Sequence, residues 1–221
     1  MNATPPIVVP ILATPFGVVP LPDVEAHNPA LNELFSARMR AGASAVQSSP
    51  LCYRSPDDLF ERPEQPVAQL AAAMVRGVAT VVRAVNDFSE DQLRSLRPEA
   101  RGWFTVVQPD GGVPAANYPL TAWCGIYCVA APEPSSTRHD SGVLRIYESH
   151  FGPMFADATT AAMRLPFRPG HYGWRPVPGQ MAVFPASLTH EIAPIRSREP
   201  LVLVTVRVRF IGPGQQGVAR W

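Results

Sequence analysis

The chain has 221 residues, 46% of them apolar, with 19 basic and 18 acidic side chains and a net charge of +1. No block of like charge occurs anywhere, which argues against a nucleic-acid footprint or a membrane-surface patch and points to a small-molecule partner, with a homodimer left open. The length suits one domain, residues 1–221, divided into supporting elements over 1–98 and a β core over 99–213.

In chain order, residues 7–12 and 16–21 read as two short extended segments broken by Thr14-Pro15 and Gly17, suited to sheet edges, where proline does little harm. The run from Ile7 to Pro20 is apolar but carries Pro10 and Pro15 and no basic leader, so it reads as neither a signal peptide nor a spanning helix. Asn28-Pro29 starts a helix, with Asn28 as its cap and Leu31, Leu34, Phe35 and Met39 on one face, and Gly42 stops it. Residues 43–62 are polar, rich in Ser and Pro and without periodicity, which predicts a loop. Residues 63–88 form a long helix in which Val67, Leu70, Met74, Val78, Val81 and Val85 recur every three or four positions. Ser89 with Gln92 three residues on is a capping box for a short helix over 90–96, closed by Pro98.

Past residue 98 strands dominate. They are expected at 103–108, 121–131, 143–147, 180–185, 189–194 and 201–210, separated by Gly- and Pro-rich turns, with a helical hint around 156–163. Asp110-Gly111-Gly112 reads as a turn. Helices first and antiparallel strands after give an α+β, mainly β architecture: an N-terminal helical layer supporting a jelly roll. The three cysteines, Cys52, Cys124 and Cys128, contain no C-x-x-C pair. Cys124 and Cys128 lie in an apolar strand as buried thiols, which suits a reducing cytoplasm.

The stretch RPVPGQMAVFPASLTHEIAPIRSREPLVLVTVRVRF, residues 175–210, combines a Pro-Gly turn, an apolar strand ending at Pro185, a strand opening at His190 and a long β-branched strand. With the upstream run VVQPDGG…NYP…AWCGIYCVAAP…SGVLRIYE, it resembles the Fe(II)/2-oxoglutarate oxygenase superfamily, in particular its small bacterial members. The resemblance spans residues 103–210 and implies a double-stranded β-helix, with His190 as the distal ligand of an iron that activates dioxygen, and 2-oxoglutarate as co-substrate.

The same resemblance exposes departures. The usual H-x-D or H-x-H ligand pair falls within residues 116–119, Ala-Asn-Tyr-Pro, which hold neither histidine nor carboxylate. The arginine that binds 2-oxoglutarate falls at Leu201, with Arg198 and Arg207 as the nearby alternatives for the anion. Strand alternation places Leu144, Ile146, Glu148 and His150 on one face, so a relocated triad of His190, Glu148 and His150 is one reading; Glu148 and His150 beyond the strand end, in solvent, is the other. His190 likewise reads as a ligand or as a barrel-mouth histidine bonded to backbone. Arg207 and Arg209 read either as inward groups or as the solvated face of an edge strand; a strand buried on both sides would reconcile the family analogy with the apolar even-numbered face. Tyr118 and Tyr127 are candidate substrate contacts. His27 and His171 read as surface or turn residues, and the pair His139-Asp140 sits at the end of the barrel away from His190. Two functions follow: an iron oxygenase acting on a small organic substrate, or a metal-free jelly roll acting as a binding module or as a cofactor-independent cyclase or isomerase.

Overall fold

A computed structural model describes residues 13–42, 45, 47–49, 51–133, 139–147, 163 and 170–214. The strands are β1 (Gly17–Pro20), β2 (Gln47–Ser49), β3 (Cys52–Arg54), β4 (Arg97–Val107), β5 (Val113–Ala116), β6 (Trp123–Ala130), β7 (Leu144–Tyr147), β8 (His171–Trp174), β9 (Gln180–Pro185), β10 (His190–Ile192) and β11 (Leu201–Ile211). They form a seven-stranded sheet in the order β1-β9-β6-β11-β4-β3-β2 and a four-stranded sheet in the order β5-β10-β7-β8. All strand pairings are antiparallel.

Strand β11 is flanked on both sides, by β4 along its whole length and by β6 from Val202 to Val208. It is therefore central, and its two faces belong to different cores. Val202, Val204, Val206 and Val208 pack into the core shared with the helices, whereas Leu201 and Leu203 pack into the core between the two sheets. Both faces being covered explains the nearly unbroken β-branched composition, which an alternating half-exposed strand would not need.

The helices are α1 (Pro22–Glu25), α2 (Asn28–Arg40), α3 (Gln65–Val85) and α4 (Glu90–Ser95). Helix α3 is long and apolar enough to cross a membrane by length and composition. Here its apolar stripe, Val67, Leu70, Met74 and Val78, is buried in the core that includes Met181, Val204 and Val206 of the large sheet. Gly77 marks the closest approach, since a Cβ there would lie 2.5 Å from Met181 Cε. A mid-helix glycine costs about 1 kcal/mol against alanine, and the near contact with β9 accounts for its presence. Helix α4 carries the expected capping box between Ser89 and Gln92. The architecture is thus a jelly roll of two facing sheets with helices on the outer face of the larger one.

Three local expectations differ from the structure. Asn28 is the first helical residue and not the cap; its side chain is buried and accepts the Tyr127 hydroxyl hydrogen bond at 2.9 Å. The stretch expected as a loop over 43–62 contains the hairpin β2–β3, which extends the large sheet beyond β4, and a 3₁₀ turn at Leu59–Glu61. Strands β5 and β8 were also not expected; each is four residues long and Gly- or Pro-interrupted or flanked, too short to show alternation. Residues 7–12 and most of 156–163 lie outside the described residues.

Met74 is fully buried under the sheet. Met74→Ala should lower unfolding stability by about 2–5 kcal/mol in urea titrations, whereas Val85→Ala, at the exposed end of the same helix, should change it by less than about 0.5 kcal/mol.

Candidate functional site

A cavity of about 340 Å³ lies between the sheets, at the small end of the size range of small-molecule sites. Its walls come from β3 (Cys52, Arg54), β4 (Trp103, Thr105), β5 (Val113, Ala116), β10 (His190, Ile192) and β11 (Leu203, Thr205), with Tyr118 and Ile126. The turn at Asp110 to Gly112 shapes one end. Asp110 takes φ 62°, a conformation aspartate tolerates, and its carboxylate accepts Arg196 Nη1 at 2.7 Å. A Cβ on Gly112 would stand 2.7 Å from the Ile192 carbonyl, so only glycine fits there.

His190 is buried at the start of β10. Its Nδ1 lies 3.0 Å from the Leu188 carbonyl. A carbonyl only accepts, so Nδ1 carries the proton and Nε2 of the neutral ring keeps its lone pair. The rings of Phe184 and Tyr118 meet the imidazole edge-on, at centroid separations of 5.0 and 5.5 Å. Burial holds His190 below its ordinary pKa of 6.5, outweighing the opposing effect of the Leu188 hydrogen bond. Burial likewise raises the Tyr118 phenol, more than Arg54 and Arg207 lower it, so this hydroxyl is neutral. Cys52 and Cys124 are also raised by burial, which leaves them as thiols with little nucleophilic character.

A charged cluster closes the Trp103–Tyr118 end. Asp57 accepts Arg54 Nη2 on one carboxylate oxygen and Arg207 Nη2 on the other, each at 2.5 Å. The Arg54 guanidinium lies 4.1 Å over the Trp103 ring, and that of Arg207 lies 5.1 Å from the Tyr118 ring and 5.3 Å from Trp103. Arg54, Asp57, Trp103, Thr105 and Thr205 carry no sequence signal of a site. Arg54 in particular sits on a three-residue strand in a stretch that reads as a loop.

The candidate residues separate cleanly. His190 and Tyr118 meet at the cavity, and Arg207 stands beside Tyr118, held by Asp57. Tyr127 does not reach the cavity: it is fully buried on the helix side of β6, bonded to Asn28, and burial raises its pKa to about 12. The alternation of β6 turns Tyr127 away from the face that carries Cys124, Ile126 and Cys128. Arg198 is exposed in the bend before β11 and is not part of the cavity wall. Arg207 and Arg209 belong to a central strand and not an edge, and pair with Asp57 and Glu99. Glu148 and His150 lie outside the described residues.

The implied metal can be tested against these donors. A facial site needs three nitrogen or oxygen ligands on one point. His190 qualifies, but its strand partner on β5 is Ala116, and two residues further on stands Tyr118. Directly opposed residues hold their Cβ atoms about 4.5–5.5 Å apart, so a methyl group and a neutral phenol occupy the ground where further ligands would converge. Among the described residues, no three His, Cys, Asp or Glu side chains gather as a metal site requires. Leu201, where the co-substrate arginine was expected, is 1% exposed among apolar neighbours. Among the described residues, His190 is thus not joined by the further ligands that an iron centre needs, and Leu201 is apolar where the 2-oxoglutarate arginine was expected.

Neither a family model nor a curated protein matches the sequence. Solved structures do share the fold. A prolyl-4-hydroxylase from Pseudomonas putida aligns with TM-score 0.57 and 14% identity over 91% of this chain and 93% of its own. AviO1 from Streptomyces viridochromogenes Tue57 aligns with TM-score 0.59 and 16% identity over 93% of each chain. HygX from Streptomyces hygroscopicus, solved with nickel and 2-oxoglutarate bound, aligns with TM-score 0.57 and 13% identity over 94% of this chain and 86% of its own. The chain has the fold of the Fe(II)/2-oxoglutarate oxygenases, and at these identities the likeness is one of fold.

Two consequences are measurable. Because the folded His190 has a lowered pKa, the unfolded chain binds a proton more readily, so stability is full above the unfolded value of 6.5 and is lost as the pH falls below it toward the folded pKa. His190→Gln should flatten that acid limb in urea midpoints recorded across the same range. Tyr127→Phe should cost about 1 kcal/mol through the lost bond to Asn28 and leave ligand binding at the cavity unchanged by calorimetry.

Proposed function

We propose that this protein binds a small organic molecule in the barrel cavity and acts on it, or presents it, through side chains and not through an iron centre. The observation that carries this reading is the pairing of His190 with Ala116, with the Tyr118 ring standing edge-on to the imidazole. These groups suit a hydrogen-bonding site: a neutral imidazole with Nε2 free to accept, a phenol able to donate, and Thr105 and Thr205 hydroxyls on the wall. In a cofactor-independent isomerase or cyclase, His190 Nε2 would take a proton from the ligand and the Tyr118 hydroxyl would donate a hydrogen bond to the oxygen gaining charge.

A second reading, an iron oxygenase with His190, Glu148 and His150 as ligands and 2-oxoglutarate as co-substrate, is favoured by one observation. The Nδ1–H of His190 is fixed on a backbone carbonyl and Nε2 is left free, the tautomer of a metal-ligating histidine.

Metal analysis after anaerobic reconstitution with Fe(II) separates the two. The first reading expects no specific iron in the wild-type protein and a gain of near-stoichiometric iron in Ala116→His/Tyr118→Asp, which supplies the two ligands that the β5 end lacks. Near-stoichiometric iron in the wild type, lost in both His190→Ala and Glu148→Ala/His150→Ala, would overturn it in favour of the second.

A further inference from the structure

Resting on the small-molecule reading above, we infer that the cavity's ligand is an uncharged 1,3-dicarbonyl compound, bound with both oxygens toward the large sheet and the carbon between them toward His190. Trp103, Thr105, Tyr118 and Thr205 line this cavity, and neither the indole N–H nor the three hydroxyls have a hydrogen-bond partner among the described residues. The same holds for Nε2 of His190. Trp103, Thr105, Thr205 and His190 are only 2%, 4%, 7% and 6% exposed. A buried polar group left without its bond costs about 1–3 kcal/mol. None of these atoms is sealed within the protein, so what satisfies them is whatever fills the cavity.

The set is uneven. An indole N–H only donates, a phenol and two threonine hydroxyls can each donate, and the one pure acceptor is His190 Nε2, because Nδ1 carries the proton bonded to the Leu188 carbonyl. Such a wall matches a ligand with several acceptors and a single proton to offer. The two kinds of group also stand apart. Trp103 and Thr105 on β4 and Thr205 on β11 lie on the inner face of the large sheet, with Thr205 opposite Trp103 and Thr105 opposite Leu203. Opposed residues hold their Cβ atoms about 4.5–5.5 Å apart and diagonal ones about 7–8 Å, close enough to converge on one small molecule. His190 belongs to the facing sheet, and Tyr118 stands between, edge-on to Trp103 at 5.4 Å and to His190 at 5.5 Å. A 1,3-dicarbonyl compound in its U-shaped conformer has this layout, with two acceptor oxygens on one side and an acidic C–H on the other. That C–H carries the proton assigned above to Nε2. Val113, Ile126, Ile192 and Leu203 give apolar contact to the rest of the molecule. The charged wall residues are already engaged, Arg54 by Asp57 at 2.5 Å and Glu191 by Arg145 at 3.1 Å. An anion would have to compete with Asp57 for Arg54, whereas a neutral ligand leaves both pairs intact.

The test uses the full chain and three matched probes at neutral pH, the diketone benzoylacetone, the monoketone benzylacetone and the anion 4-phenylbutyrate, measured by calorimetry and thermal shift. The diketone should bind about 10-fold more tightly than the monoketone. Tyr118→Phe and Thr105→Val/Thr205→Val should each cut that preference to less than about 3-fold, with circular dichroism melts showing both variants folded. Equal binding of diketone and monoketone would overturn the dicarbonyl assignment and leave the pocket reading standing. Tighter binding of 4-phenylbutyrate than of the diketone would do the same, since charge would then select the ligand. A preference undiminished in both variants would also overturn the assignment, because the oxygens would be read elsewhere. Failure of all three probes to bind the folded wild type would overturn the inference and the small-molecule reading together.

Discussion

The pairing of β11 with β4 and β6 is the constraint on which the rest of the structure depends. It buries a strand on both faces, so each residue of that strand belongs to one of two cores separated by a single layer of backbone. The valines at even positions anchor α3 to the outside. The odd positions pass from Leu201 and Leu203 through Thr205 to Arg207, from the closed apolar end of the barrel to its charged end. One strand therefore fixes the helical layer and grades the polarity of the cavity.

The site itself is made by joining distant segments. His190 stands between Ala116 on β5 and Ile146 on β7 because β10 pairs with both. The aromatic rings around its imidazole come from residues near 118 and 184, and the arginines over Trp103 and Tyr118 come from positions 54 and 207. The neutral imidazole and the neutral phenol follow from low local polarity, since burial disfavours the charged form of each.

This arrangement has the fold of an oxygenase barrel, with a buried histidine, a neutral phenol and an arginine pair at its cavity. His190 pairs with Ala116 and stands edge-on to the Tyr118 ring, while Leu201 at the closed end is buried among apolar side chains. Arg54 and Arg207 pair with Asp57 at the end toward Trp103 and Tyr118. Fold alone does not fix activity, because the barrel is held largely by backbone ladders and apolar packing.

Much of the fold was legible from the sequence alone: the capping box at Ser89, the long helix stripe from Val67 to Val85, the strands at 180–185 and 201–210, and the histidine after a proline-ended strand. These signals are local, since each depends on periodicity or turn chemistry within a dozen residues. What the sequence left undetermined was whatever depends on partners far along the chain. Strand β3 shows no alternation in three residues and exists because β4 supplies its hydrogen bonds, so Arg54 and Asp57 stayed hidden in an apparent loop. Tyr118 and Tyr127 look alike in sequence, yet one flanks His190 and the other bonds to Asn28 beneath the helices. The chain by itself determined the elements; only the tertiary structure decided which side chains share the cavity, because facing and charge pairing are set by contacts across as many as 150 positions.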